Sequence, residues 1–151
     1  MSLERRNELL AELCTLLEIP DVNGIVQAGR LNVNEFEVAV DFFEQDPDAI
    51  YLDFEYGIVS GGRTLRIYRL MLEANLTVYA QDQAQLGVNP STGGIILVVR
   101  VPLGHDVNGG YLCELLDHYV EHGRYWQDNI LQSSDDMFDQ IASGEYQWIR
   151  A

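Results

Sequence analysis

Apolar residues recur at two different periods along this chain, and the places where the period changes mark its elements. Over residues 4–17, Leu9, Leu10, Leu13, Leu16 and Leu17 fall at helical spacing while Glu4, Arg5, Arg6, Glu8 and Glu12 lie mostly on the other side. That predicts an amphipathic first helix. Pro20, Asp21, Asn23 and Gly24 end it, and the stretch to Arg30 reads as turn-rich with one short apolar pair, Ile25 and Val26. From Leu31 the period becomes two. Leu31 and Val33 predict a short strand, Asn34 and Glu35 turn it, and Phe36, Val38, Val40 and Phe42 alternate with Glu37, Ala39 and Asp41 as the return strand of a hairpin. After a turn at 45–48, Ile50, Leu52, Phe54 and Tyr56 face one way and Tyr51, Asp53 and Glu55 the other. One buried sheet face and one wet face follow.

Gly57, Gly61 and Gly62 break that strand. Residues 63–75 are then dense in apolar side chains, with Leu65, Ile67, Tyr68, Leu70, Met71, Leu72 and Ala74 covering more than one helical face. Such a helix buries two sides, either at the centre of the domain or at a subunit interface. Leu76, Val78 and Ala80 are expected to begin another strand, Gly87 and residues 89–94 supply turns, and residues 95–101 read as a nearly continuous buried strand closed by Pro102 and Gly104. Asn108 is a candidate N-cap for a long third helix, running to about Leu131, with Leu112, Leu115, Leu116, Tyr119, Trp126 and Ile130 on one stripe. The order α-β-β-β-α-β-β-α plus a C-terminal tail predicts an α+β fold, a twisted, mainly antiparallel sheet flanked by helices. Residues 1–131 form one domain in this reading. Residues 132–151 mix Asp135, Asp136, Asp139 and Glu145 with Met137, Phe138, Ile141, Tyr146, Trp148 and Ile149, as an acidic and aromatic tail that is either a short docked helix or a partner-binding arm.

Charge narrows the function classes. A formal net charge of -15, with nine arginines and no lysine, argues against nucleic acid and anionic membranes as partners, because neutralising phosphates takes clustered cations. No apolar run approaches the roughly 20 residues that span a bilayer, and residues 1–12 alternate charge with leucine instead of forming a signal-peptide core. A cytoplasmic protein is expected. Cys14 and Cys113 lie far apart in predicted helices without metal-type spacing, and read as reduced core residues.

The most tempting chemical motif is His118-Tyr-Val-Glu121-His122, an H-x-x-E-H pattern that places two histidines at i and i+4 on one helix face. Taken literally it predicts a zinc hydrolase. In that protease class the third ligand comes from well downstream, whereas here little sequence follows the motif, and Asp117 and Glu121 make ordinary helical charge neighbours, so a solvated helix face accounts for the motif. The paired glycines at 93–94 and 109–110 lack a phosphate-cradle arrangement. No catalytic, cofactor-binding or metal-ligating set is therefore assigned, and no cofactor is expected. What remains is a surplus of apolar residues in exposed-looking positions, Phe43 and Tyr51 on the polar strand faces and the broad second helix among them, which favours a partner-binding surface.

Four ordered segments carry a family resemblance: Leu70-Met-Leu-Glu-Ala-Asn75-Leu, Leu86-Gly-Val-Asn-Pro90, Gly94-Ile-Ile-Leu-Val-Val-Arg100, and residues 112–126 ending at Trp126. Together with the leucine-rich first helix and the Gly29-Arg-Leu-Asn-Val-Asn34 strand, they make residues 3–131 resemble the Tir-chaperone (CesT-like) family of class I type III secretion chaperones. The resemblance implies a bacterial, cytoplasmic, ATP-independent homodimer, not an enzyme. It would bind the extended N-terminal segment of one or more secreted effector proteins and keep it export-competent, with the secretion ATPase as a further contact. By analogy with that family, Tyr68, Met71, Leu72, Val78 and Tyr79 are expected at the two-fold interface. Leu13, Leu17, Leu31, Val33, Val40 and Phe43 are the candidates for effector contacts. A regulatory anti-activator that sequesters another protein is the alternative within the same class.

Overall fold

The structure is a computed structural model that describes residues 2–59 and 61–142. Its elements run α1 (Ser2–Leu16), α2 (Val22–Ala28), β1 (Arg30–Val33), β2 (Phe36–Asp41), β3 (Ala49–Ile58), α3 (Thr64–Ala74), β4 (Ala84–Val88), β5 (Gly94–Pro102), α4 (Gly109–Tyr125) and α5 (Asp135–Ala142). Wider π-helical segments extend α3 over Asn75–Tyr79 and α4 over Trp126–Leu131. The strands form one open sheet in the order β1-β2-β3-β5-β4. The pairs β1/β2, β2/β3 and β4/β5 are antiparallel. This is the expected α+β fold with a mainly antiparallel sheet flanked by helices.

Packing divides the chain into two units, residues 1–54 with 100–120, and residues 55–99 with 121–151. In the first unit the period-two alternation sets the register. Val38 lies opposite Phe54 and Val40 opposite Leu52, so the apolar members share one face and all four are buried. The hairpin turn falls on Asn34 and Glu35, whose φ values of 48° and 76° suit the tight connection that matches strand twist. Leu9, Leu10, Leu13 and Cys14 form the buried stripe of α1. A Cβ on Gly109 would come within 2.8 Å of the Glu12 Cβ, so glycine lets the first turn of α4 approach α1. The Glu12 carboxylate accepts the Gly109 N–H at 2.7 Å, placing negative charge at the α4 N-terminus.

Two elements depart from expectation. Residues 22–28, read as turn, form α2, opened by the Asp21 carboxylate accepting the Gly24 N–H at 3.1 Å and closed by Gly29 at φ 67°. None of its residues is buried, so no apolar stripe announces it. The strand expected from Leu76 is instead the π-helical continuation of α3, and β4 starts only at Ala84. The Asn75 carboxamide decides this. Its Oδ1 accepts the Leu86 N–H at 2.6 Å and its Nδ2 donates to the Leu86 carbonyl at 3.2 Å, clamping the helix end to β4.

In the second unit Trp126 is fully buried, and its indole N–H donates to the Tyr79 hydroxyl at 3.1 Å. Beyond the long helix, the short α5 buries Phe138 and Ile141. Arg63 holds it: Nη1 donates to the Ile130 carbonyl at 2.8 Å, and Nη2 donates to the Ser133 carbonyl at 2.6 Å and to Asp135 Oδ1 at 2.8 Å.

Candidate functional site

The six candidate effector contacts all lie in the first unit, and the subunit treats them in two ways. Leu13, Leu31, Val33 and Val40 are buried, whereas Leu17 and Phe43 are 37% and 45% exposed. Leu3 and Leu16, at 48% and 56%, extend the apolar surface along α1. Phe43 is held from below. Its ring meets the Tyr51 ring edge-on at 5.0 Å, and the Tyr51 hydroxyl donates to Asp46 Oδ2 at 2.6 Å. Arg100 grips the same carboxylate through two bonds of 2.7 and 2.9 Å. The hydrogen bonds from Arg100 and Tyr51 hold the Asp46 carboxyl down to about 2, so this bidentate support stays charged near neutrality. Beside it, the wet face of β2 and β3 carries Asp41 and Asp53. Burial, then the adjoining Asp41 carboxyl, pushes Asp53 up to about 7.

The five candidate interface residues lie in the second unit. Met71 and Tyr79 point into its core, Tyr68 and Val78 are half-buried, and Leu72 is 70% exposed. Sequence reasoning omitted the two neighbours that complete the exposed face, Leu65 at 83% and Leu76 at 78%. Spaced at i, i+7 and i+11 with Leu72, they form one helical stripe. The spacing was visible in the sequence, but assigning Leu76 to a strand broke the period. The π-helical segment restores it.

Of the His118-Glu121-His122 motif, His118 and Glu121 are exposed and His122 is half-buried. His118 meets the Tyr119 ring edge-on at 4.8 Å, and His122 Nδ1 lies 2.9 Å from the Tyr79 hydroxyl. Because that hydroxyl accepts the hydrogen bond from the Trp126 indole N–H, its own O–H can donate a hydrogen bond to the imidazole Nδ1. Burial raises Tyr79 to about 12, keeping it protonated. Among the described residues no group of three or more His, Cys, Asp or Glu side chains is placed to hold a metal ion. Cys14 is buried and Cys113 half-buried, both free, and burial raises both thiols above their ordinary value. The structure presents two groups of exposed apolar side chains, Leu16, Leu17 and Phe43 in the first unit and Leu65, Leu72 and Leu76 in the second.

A model of the Tir chaperone protein (CesT) family matches residues 8–127. The chain belongs to that family. Membership makes this CesT-family chain a chaperone and not an enzyme, and the match runs from within α1 through α4 while ending before α5. Among curated proteins none matches it. Solved structures share its fold at low identity. The ExsC–ExsE complex contains a chain 18% identical, with a TM-score of 0.66 over 87% of this chain and 97% of that one. The HopA1–SchA chaperone–effector complex contains one 14% identical, with a TM-score of 0.55 over 78% and 89%. No helix among the described residues is long and apolar enough to cross a membrane.

Proposed function

We propose that this CesT-family chain is a type III secretion chaperone of the bacterial cytoplasm, a homodimer that holds the extended N-terminal segment of an effector protein without ATP. Family membership supplies the class, and one of its structural neighbours is itself a chaperone–effector complex. The observation that carries the reading is the pair of separate apolar surfaces, Leu16, Leu17 and Phe43 on one unit and Leu65, Leu72 and Leu76 on the other. Exposing such leucines costs roughly 1.5–3 kcal/mol each relative to burial, and a binding partner for each surface recovers it.

In this reading the first surface takes the effector. β1 is an end strand of the sheet, so an extended segment can satisfy its backbone by pairing there while its apolar side chains settle beside Leu17 and Phe43. Leu13, Leu31, Val33 and Val40 form the floor of that site. The second surface takes the other copy, with Leu72 at its centre and Tyr68, Met71, Val78 and Tyr79 behind it. The net charge of -15 keeps such a surface soluble and favours basic cargo. A contact with the secretion ATPase belongs to the same proposal.

The test is co-purification with the N-terminal fragment of an effector encoded beside this protein. The full chain should elute as a dimer that solubilises the fragment. Leu17→Asp and Phe43→Asp should each weaken binding about tenfold or more, the effect of placing a carboxylate against an apolar segment, while His118→Ala leaves it unchanged. A chain that binds no such fragment refutes the chaperone reading.

A further inference from the structure

We infer that Asn75 closes the β4 edge of the sheet to strand addition, so that a bound extended segment pairs only along β1. The closure stands on the geometry of this chain alone; the pairing along β1 rests on the effector-binding reading above.

An open sheet has two end strands whose outward N–H and C=O groups can pair with another chain. Here they are β1 and β4. Which residues face outward follows from the ladders, because hydrogen-bonded and non-hydrogen-bonded pairs alternate along antiparallel strands. The Asn89 N–H donates to the Gly94 carbonyl at 2.8 Å, and in that register Gly87–Ile96 and Gln85–Val98 are the bonded pairs. Ala84, Leu86 and Val88 therefore turn their backbone groups away from β5. The Val40 N–H donates to the Gly29 carbonyl at 2.7 Å, so Leu31–Val38 and Val33–Phe36 are bonded, and Arg30 and Asn32 face outward from β1.

The two edges differ in what meets those groups. At the middle outward position of β4 a single side chain takes both: Asn75 Oδ1 accepts the Leu86 N–H at 2.6 Å, and Nδ2 donates to the Leu86 carbonyl at 3.2 Å. A carboxamide carries the donor and acceptor of a peptide group, so Asn75 stands in for one residue of a neighbouring strand. It also blocks the lane. An added strand would lie about 4.8 Å from β4, where the end of α3 and its π-helical continuation already pack. Drawing Asn75 aside would leave the backbone groups of Leu86, itself only 6% exposed, buried without partners. On β1, by contrast, Arg30 and Asn32 are exposed, and no hydrogen bond from another described residue occupies their outward backbone groups. A sheet closed at one end can hold an extended segment at the other without recruiting further chains into a growing sheet.

Amide hydrogen exchange on the full-length protein, read residue by residue by NMR, tests the closure without cargo. In wild type the Leu86 amide should exchange about tenfold or more slowly than those of Arg30 and Asn32. In Asn75→Ala it should speed up about tenfold or more, with Gln85 and Gly87 still slow. A Leu86 amide that is fast in wild type, or still slow in Asn75→Ala, overturns the closure. Loss of protection at all three positions does the same, because Asn75 would then hold the strand in place instead of closing its edge. Adding the N-terminal effector fragment of the co-purification test then probes the edges. Arg30 and Asn32 should gain about tenfold protection and Ala84 and Val88 none; a bound fragment that protects Ala84 and Val88, or neither pair, refutes the assignment of β1. A fragment that does not bind at all removes the effector reading, and the exchange of the free protein still decides the closure.

Discussion

Replacing Arg63 by alanine tests how the C-terminal helix is held. The side chain is only 13% exposed while its ionic partner Asp135 is 93% exposed, so the four hydrogen bonds it makes, the longest of them 3.4 Å to the Ser133 hydroxyl, are unequal. The pair with Asp135 sits in water and contributes at most about 1 kcal/mol. The bonds to the Ile130 and Ser133 carbonyls are charge-assisted and shielded, at about 1.5 kcal/mol each, and the contact with Phe138 adds about 0.5–1 kcal/mol. Water recovers part of this when the guanidinium is gone, so Arg63→Ala should destabilise the chain by about 2–3 kcal/mol. Urea denaturation reads this as a fall in midpoint of about 1–2 M, measured at one fixed protein concentration because the proposed dimerisation would add to apparent stability. Lysine presents a single ammonium where two diverging donors are needed, so Arg63→Lys should recover less than half of the loss. Asp135→Asn should cost under about 0.5 kcal/mol. An Arg63→Ala midpoint equal to wild type, or an Asp135→Asn effect as large as that of Arg63→Ala, would refute the assignment of the anchoring to the shielded carbonyls.

Two further outcomes follow from the same geometry. Asn75→Ala removes both bonds to the Leu86 backbone and should cost about 2 kcal/mol in chemical denaturation; Asn75→Asp, which keeps the acceptor but loses the donor, should rescue little of it. Asp53, raised to about 7 in the folded chain against about 3.9 when unfolded, holds a proton between those values that the unfolded chain has released. Folding therefore takes up a proton in that window, and this contribution to stability is complete below about pH 4 and lost as the pH rises through 7. Asp53→Asn should flatten that decline, leaving the melting temperature near wild type at pH 4 and above it at pH 7.5; a decline as steep as that of wild type would rule out Asp53 as its source.

What the sequence by itself determined is what neighbouring residues decide. The alternation in β2 and β3, the turn at Asn34 and Glu35, and the Asn108 side chain accepting the Tyr111 N–H at 2.9 Å to open α4 all act within a few residues. So do the family segments, because the Asn75 motif and the turn after Leu86 are contiguous strings. The caps of α2, Asp21 and Gly29, were legible too, but without a buried stripe they read as turn. Tertiary structure decided the rest. Whether residues 76–80 extend a helix or begin a strand depends on Asn75 meeting Leu86, and the docking of α5 depends on Arg63 meeting carbonyls some seventy positions away. The same holds for the two surfaces. Leu70 and Leu72 are alike as sequence, yet one is 5% exposed and the other 70%, because exposure is set by which elements pack over a position, and periodicity alone does not encode that.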